Sequence, residues 1–305
     1  MAPLVLRPVA AVMVLVALLL ASCGGDGGPA AEDAERLRIG TKNFPESKIV
    51  GQLYTQALEA EGVPVDLQTS VGSTEVIDAA LGESLLDMYP EYIGTLLAEV
   101  DKISERPAGS REAYELAKGQ EDRKGFVLLD PTPFSNENAL AVMKSYSRRR
   151  DVHSIADLPG LRPRPVIGAA TEFQNRFEGL KGLKQRYGLS NPDFRVVNTN
   201  EGRQYPKLAS GEIDVALVYT TDPQLIGGRY ELLSDPRHIF ATQHLAPRIS
   251  KAALARHGPR LERTLNAVSA LLTTPVMQRL NAEAEKRTPE QVADAFLRAK
   301  GLKGS

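Results

Sequence analysis

The sequence predicts an α/β protein whose folded part is built from two successive units. From residue 36 onward, short apolar segments of strand character alternate with amphipathic segments of helical period. The last 60 or so residues are mostly helical in pattern, with helices that open near prolines. The chain of 305 residues is long enough for two domains of ordinary size, each with its own core.

The first 22 residues are typical of a signal peptide. Arg7 is the only charge before a 12-residue apolar run, Val9 to Leu20, which is too short to span a bilayer. Small residues then lead into Cys23, the only cysteine of the chain, and the pattern resembles the lipobox of bacterial lipoproteins. The alternative is an ordinary secretory signal that ends near a cysteine. We expect Cys23 to carry a lipid anchor on the outer face of the cell membrane.

The segment after the anchor is predicted to be a flexible tether. Residues 23–35 are rich in glycine, alanine and acidic residues and have no apolar periodicity. Removal of the signal peptide takes one arginine from the 37 basic residues, which leaves 36 against 38 acidic residues. A net charge near −2 gives no reason to expect a nucleic-acid partner. One cysteine excludes an intrachain disulfide, and no later stretch is apolar enough to span a membrane.

The first unit begins with the strand Arg36–Gly40. A helix follows, with apolar residues at helical spacing from Ile49 to Leu58. Ser73 and Thr74 begin a second helix, where their hydroxyls can hold free N–H groups. Further strands are predicted at 64–71, 85–88 and 126–130, and Pro131-Thr-Pro133 makes a stiff crossing to the second unit.

The second unit has the same alternation, and a helical C-terminal region follows it. Strands are predicted at 139–143, 166–169, 194–197 and 213–218, and helices open at 171–176 and 202–210. From about residue 242 the chain is predicted to be mostly helical, with helices at 259–272, 275–287 and 289–300. The basic run 148–150 is predicted to lie in a solvated loop.

Residues 79–92 and 207–219 share one plan. Each contains the end of a helix, a tight turn, a short buried strand and then a tyrosine, Tyr92 or Tyr219. Ligands collect at the carboxyl ends of strands in open α/β sheets, so two such units facing each other would direct both tyrosines into one cleft. Chance similarity is the alternative, because helix–turn–strand units are common.

Several segments together carry a family resemblance. They occur in the order TKNFPESKIVGQLYTQALE (41–59), GSTEVIDAAL (72–81), MYPEYIGTLL (88–97), ENALAV (137–142), GAATEF (168–173), ASGEIDVALVYTTDPQL (209–225) and EQVADAFLRAKGL (290–302). The ordered set, which covers nearly all of residues 37–302, resembles the substrate-binding proteins of ABC importers for glycine betaine, choline and carnitine.

The resemblance implies a two-lobed periplasmic-binding-protein fold of type II, with two crossings between the lobes and hinge closure around a small ligand. We place the crossings near residues 131–137 and 238–243. Lobe one then contains residues 36–133 together with 242–305, and lobe two contains residues 134–241. The partners implied are a betaine-like or quaternary-amine ligand and ABC permease subunits, and no cofactor or metal is expected.

The chemistry of such a ligand matches the residue types available. A quaternary ammonium donates no strong hydrogen bond and is held by aromatic faces, whereas its carboxylate needs fixed donors. The family pattern makes Tyr92, Tyr219 and Phe134 the aromatic walls. It assigns the polar end of the ligand to other side chains, with hydroxyls at a helix start among them: Lys42, Ser73, Thr74, Thr95 and Arg176. Tyr92 could instead be a core residue, Phe134 a hinge-packing residue and Arg176 a solvated residue.

The sequence departs from the family at one wall of the site. Gln243 stands about where the family has a further cage tyrosine, and Phe134 has a ring but no hydroxyl. A cage that has an amide in place of a ring would hold trimethylammonium less tightly. The amide could instead hydrogen-bond a more polar or heteroaromatic zwitterion.

Enzyme functions find little support in the sequence. The four histidines have no H-E-x-x-H spacing, and G-x-S-x-G, P-loop and G-x-G-x-x-G motifs are absent. The prediction is therefore a binding protein and not an enzyme, although enzymes can share the two-lobed fold. A lipoprotein that senses a ligand without transporting it remains a further alternative.

Overall fold

The computed structural model describes residues 36–103, 107, 109–190, 192–199 and 202–304. The predicted signal peptide, Cys23 and the tether lie outside these residues. Within the described ranges, none of the helices combines the length and apolarity needed to cross a bilayer.

The described residues form two five-stranded sheets of the same design. The first has the strand order β2-β1-β3-β10-β4 and the second the order β7-β6-β8-β5-β9. In each sheet the first three strands are parallel, and the fourth runs antiparallel to its neighbours. The strands of the first sheet are β1 (Leu37–Lys42), β2 (Val65–Gly72), β3 (Met88–Tyr92), β4 (Phe126–Leu128) and β10 (Leu245–Ser250). Those of the second are β5 (Asn138–Met143), β6 (Val166–Ala169), β7 (Asp193–Val196), β8 (Val215–Tyr219) and β9 (Tyr230–Leu232).

Helices cover these sheets. They are α1 (Pro45–Ala60), α2 (Thr74–Gly82), α3 (Ser110–Lys124), α4 (Lys144–Arg150), α5 (Gly182–Tyr187), α6 (Gln204–Ser210), α7 (Lys251–His257), α8 (Pro259–Leu271), α9 (Thr274–Ala284) and α10 (Pro289–Ala299). Shorter helical pieces are Ile93–Thr95, which continues as the π-helical turn Leu96–Val100, and Ile155–Gly160, Thr171–Gln174, Phe177–Lys181 and Pro223–Leu225. The basic run 148–150 lies in the last turn of α4 and not in a loop, because cations are favoured at the negative end of a helix dipole.

The chain passes between the two sheets twice, once between β4 and β5 and once between β9 and β10. The strand that follows each crossing, β5 or β10, is the antiparallel one, because it starts at the sheet end where the parallel strands finish. The two crossings pair with each other through an antiparallel bridge between Ser135 and His244. The mixed α/β architecture and the two crossings are as predicted from the sequence.

Each sheet has its own apolar core. In the first, α1 and the C-terminal helices pack on the sheet through residues such as Leu53, Leu265 and Leu297, all completely buried. Phe134 belongs to this core. In the second, Leu140, Ile167 and Val215 form the centre of a separate cluster. Two separate cores, joined by the crossings and by hydrogen bonds from α9 to the carbonyls of residues 220 and 221, leave a cleft between the lobes.

Candidate functional site

Tyr92 and Tyr219 end equivalent strands in the two sheets. Tyr92 is the last residue of β3 and Tyr219 the last residue of β8. Both side chains line one cavity of about 420 Å³ in the cleft. The repeated helix–turn–strand plan thus brings one ring from each lobe to the same space, as the topology of parallel strands requires.

Phe44 supplies a further ring that sequence reasoning missed. It lies in the turn after β1, is half-buried, and lines the same cavity. Its ring centroid lies 6.1 Å from that of Tyr92, with the two planes tilted by 32°. The available signal was its place in the turn that follows Lys42, at the carboxyl end of a parallel strand. Phe44, Tyr92 and Tyr219 all line this cavity, and the face of an aromatic ring carries negative π density.

The structure places Phe134 elsewhere. Its side chain is fully buried in the core of the first lobe and lines neither cavity of the cleft. Its backbone N–H donates to the carbonyl of Leu272 over 2.8 Å, which ties the crossing to the C-terminal helices. A ring without a hydroxyl can be buried here with no unpaired polar group, so Phe134 packs the crossing and Phe44 lines the cavity.

Lys42 lines the cavity but is already paired. Its Nζ lies 2.5 Å from Glu91 Oε1 and donates to Thr74 Oγ1 over 2.9 Å. The same ammonium lies 5.8 Å from the centroid of the Tyr92 ring. Burial raises the pKa of the Glu91 carboxyl, and the charge of Lys42 acts against that rise. The ammonium of Lys42 is therefore neutralised by Glu91 within the first lobe.

The hydroxyls at the start of α2 lie at the rim. Ser73 precedes the helix, and its Oγ donates to Glu75 Oε2 over 2.6 Å. Thr74 lines the cavity beside it. Because Thr74 Oγ1 accepts from Lys42, its own proton remains available to an acceptor in the cavity.

Thr95 and Gln243 close the opposite side. Gln243 Oε1 accepts from the backbone N–H of Thr95 over 3.1 Å and from its hydroxyl over 3.3 Å. The side-chain NH₂ of Gln243 makes no hydrogen bond to the described residues and is free to donate. Gly94 allows this approach, since a Cβ there would lie 2.5 Å from the carbonyl of Thr242 and 3.0 Å from the Gln243 amide.

Arg176 lies in a second, larger cavity of about 1140 Å³. The two cavities share Thr95, Asn138, Tyr219 and Gln243, so they are parts of one cleft. Arg176 is exposed on the second-lobe side of this space. The larger cavity also has acidic side chains and Lys102 on its walls: Glu99, Glu137, Glu172 and Glu178.

The structure brings together most of the predicted site. Seven of the nine ligand-site residues line the smaller cavity: Lys42, Ser73, Thr74, Tyr92, Thr95, Tyr219 and Gln243. Arg176 faces only the larger cavity, and Phe134 faces neither. The other residues that line the smaller cavity were not among the predicted site residues: Asn43, Phe44, Gly72, Glu75, Asn136 and Asn138. Asn136 and Asn138 belong to the first crossing and the start of β5, where polar residues beside an apolar strand were the available signal.

Comparison with known proteins agrees with this geometry. Residues 35–299 match the family model of the substrate binding domain of ABC-type glycine betaine transport systems. A glycine-betaine-binding protein of Pseudomonas aeruginosa is 30% identical, over 93% of this chain and 94% of its own length. A carnitine transport binding protein of Listeria monocytogenes, OpuCC, is 27% identical, over 92% of this chain and 91% of its own length.

The fold comparison points the same way. The structure of unliganded YehZ from Escherichia coli superposes with a TM-score of 0.76 and 25% sequence identity, over 88% of this chain and 99% of that one. Family model, sequence relatives and fold all cover the two lobes together. The chain therefore belongs to the family of substrate-binding domains of ABC-type glycine betaine transport systems.

Proposed function

We propose that this protein captures a betaine-like quaternary amine in the interlobe cleft and delivers it to the permease of an ABC importer. The observation that carries the proposal is the pair Tyr92 and Tyr219, which come from different lobes and line one cavity. A ligand that contacts both rings gains more from the closed arrangement than from the open one and so favours closure. A permease can then distinguish loaded from empty protein by shape.

The aromatic walls fit the cationic end of such a ligand. A trimethylammonium group is attracted to ring faces, and each ring contributes about 0.5–2 kcal/mol, the upper value when water is excluded. Tyr92, Tyr219 and Phe44 are the three rings on the smaller cavity. The proposed cage therefore consists of three rings, and the Gln243 amide lines the same cavity in place of a fourth ring.

Free donors around the same cavity fit an anionic end. The NH₂ group of Gln243 and the hydroxyl of Thr74 are the neutral donors, and the guanidinium of Arg176 lies farther out in the connected cavity. Lys42 is a weaker candidate because Glu91 neutralises it. We assign the carboxylate of the ligand to Gln243 and Thr74, with Arg176 added when the lobes close.

A longer zwitterion is the second candidate ligand. The larger cavity continues directly from the smaller one past Gln243 and Asn138. Glycine betaine would fill only the smaller cavity, whereas a ligand with a polar or heteroaromatic extension would reach into the larger one. Gln243 then hydrogen-bonds the extension, which a tyrosine cage wall could not do through a ring face.

Extracytoplasmic location follows from membership in this importer family. We propose in addition that Cys23 anchors the chain to the membrane, because small residues lead from an apolar run into the only cysteine. Membrane fractionation tests this anchor: wild type should sediment with membranes, and Cys23→Ala should be soluble or retained unprocessed. Wild-type protein found soluble and without lipid would contradict the anchor and leave the binding role untouched.

A thermal-shift screen of the mature domain tests the proposed function. Glycine betaine, choline, carnitine and heteroaromatic betaines are compared with glycine and proline, neither of which has a quaternary nitrogen. A ligand present at 100 times its Kd should add about 2.7 kcal/mol to the free energy of unfolding. Stabilisation by proline or glycine but by no quaternary amine would contradict the proposal.

A further inference from the structure

A buried carboxylate, Glu46, lies directly behind the Tyr92 wall of the cleft. Glu46 is only 5% exposed and lines neither cavity. Its Oε1 accepts from Tyr92 Oη over 2.6 Å and from Asn136 Nδ2 over 2.9 Å, and its Oε2 accepts from Asn281 Nδ2 over 2.8 Å. Tyr92 therefore stands between the cavity and this acidic group.

The hydrogen-bond pattern is that of an ionised carboxylate. All three partners of Glu46 donate to it, and both of its oxygens act as acceptors, which is the pattern of the charged form. Glu46 also lies in the first turn of α1, a helix of 16 residues, where the helix dipole favours a negative charge. The site thus stabilises a carboxylate without supplying a cation.

The charges around Tyr92 do not cancel. Lys42 and Glu91 neutralise each other at 2.5 Å, and no lysine, arginine or histidine in the described ranges forms an ion pair with Glu46. Burial raises the pKa of Asp222, and the nearby charge of Glu46 raises it further. Burial and Glu46 likewise raise the pKa of the Tyr92 phenol. Glu46 is therefore a negative charge without an ion-pair partner among the described residues, and it lies next to an aromatic wall.

We propose that Glu46 is the counter-charge of the ligand's quaternary ammonium and acts through the Tyr92 ring. The inference rests on the proposed function. A carboxylate that accepts a hydrogen bond from the phenol polarises the ring and makes its face more negative, which strengthens its attraction for a cation. Glu46 also attracts the ammonium directly across the ring. A group that never touches the ligand thereby sets the preference of the site for a cationic head group.

The hydrogen bonds of Glu46 could also affect binding mechanically, and the test must distinguish this effect from the electrostatic one. Asn281 of α9 also donates to the carbonyl of Thr221 over 3.1 Å, and Asn136 belongs to the first crossing. Glu46 could thus matter because it holds the hinge region in place. Removal of its charge and removal of its partners distinguish the two readings.

The experiment is calorimetric titration of glycine betaine, with choline as a second probe, into four proteins. Glu46→Gln removes the charge but keeps the shape and an acceptor for Tyr92. Asn281→Leu breaks the network but keeps the charge. Glu59→Gln removes an exposed charge from the far end of the same helix, and wild type completes the set. Stoichiometry reports the folded fraction, so a partly unfolded variant still yields its Kd.

We expect Glu46→Gln to weaken binding about tenfold, the size expected for a unit charge several ångströms away in a protein-like dielectric. Asn281→Leu and Glu59→Gln should stay within about twofold of wild type. A Kd of Glu46→Gln within twofold of wild type would overturn this inference, and so would a Kd of Asn281→Leu raised as much as that of Glu46→Gln. Either result would leave the proposed function standing. Wild-type protein that binds neither probe would overturn the assigned ligand class and the inference with it.

Discussion

The backbone N–H of Asn136 donates to the backbone carbonyl of Gln243 over 3.1 Å, and these two residues lie in different crossings between the lobes. The N–H of Gln243 in turn donates to Ser135 Oγ over 2.9 Å. Both Asn136 and Gln243 also line the smaller cavity. The two crossings and the smaller cavity therefore share residues, so a ligand bound in this cavity as we propose would contact both crossings.

The first prediction concerns closure. Saturating ligand should reduce the radius of gyration of the wild-type protein, measured by small-angle scattering, because Tyr92 and Tyr219 lie on opposite lobes. At the same ligand concentration, the radius of gyration of Tyr219→Ala should remain equal to that of the unliganded protein. An equal radius for free and liganded wild type would indicate a rigid scaffold.

The second prediction concerns the second-lobe wall. Tyr219→Ala should weaken ligand binding by about 1–2 kcal/mol, five- to thirtyfold, because a desolvated cation–π contact is lost. Tyr219→Phe is the matched control, and it should bind within about twofold of wild type. The Tyr219 hydroxyl makes no side-chain hydrogen bond within the described part of the chain, so we expect the ring and not the hydroxyl to contribute to ligand binding. If calorimetry shows that Tyr219→Phe binds the ligand as weakly as Tyr219→Ala, this assignment is wrong.

The sequence predicts the parallel part of each sheet and β5, but not β10, the strand that follows the second crossing. β10 contains Pro247 and the buried Arg248, and both argue against a central strand when only the sequence is considered. The pairing resolves the difficulty: Pro247 lies opposite Pro90 of β3, so the two residues without an N–H face each other. The same pairing explains why β3 runs from Met88 to Tyr92, whereas the sequence pattern predicts the strand at 85–88.

The residues of the candidate site can be predicted where they lie at strand ends, but not where they lie in turns or in the crossings between the lobes. Tyr92 and Tyr219 follow from the position of a tyrosine at the end of a parallel strand. The sequence could not show which of Phe44 and Phe134 lines the cavity. Both lie in irregular backbone, where no periodicity indicates the direction of a side chain. Lys42 could not be foreseen as an internal partner of Glu91, because a strand pattern does not show which neighbouring charges are buried together.

The third prediction uses the amide in the cleft. Gln243→Glu keeps an acceptor for Thr95 but replaces the free NH₂ donor with a carboxylate oxygen. Glycine betaine should then bind about tenfold or more weakly, about 1.4 kcal/mol, because its carboxylate meets a like charge. Choline, which has no carboxylate, should bind at least as tightly as before. If calorimetry shows both ligands moving in the same direction, Gln243 does not contact the carboxylate.

The fourth prediction concerns stability. Arg248 is 1% exposed and donates to Glu121 Oε2 over 2.5 Å, to Asp78 Oδ1 over 2.6 Å and to the Tyr89 hydroxyl over 2.8 Å. Arg248→Met takes from the buried Glu121 one of its two cationic partners, the other being Lys124, and takes from the part-buried Asp78 its ion-pair partner. The variant should lower the free energy of unfolding by about 3 kcal/mol or more in denaturant titration.

A surface pair provides the control for that loss. Arg287 and Glu283 lie one turn apart on the exposed face of a helix end, 3.0 Å from each other. Arg287→Met should change the free energy of unfolding by less than about 1 kcal/mol. Equal losses for the two variants would show that burial does not make the Arg248 cluster special.

The most direct test is a crystal structure with the tightest quaternary amine found in the screen. We predict that its nitrogen lies within about 6 Å of the ring centroids of both Tyr92 and Tyr219, with the lobes closed on it. A ligand held in the larger cavity by Arg176 and the acidic side chains, with no contact to either ring, would contradict the account.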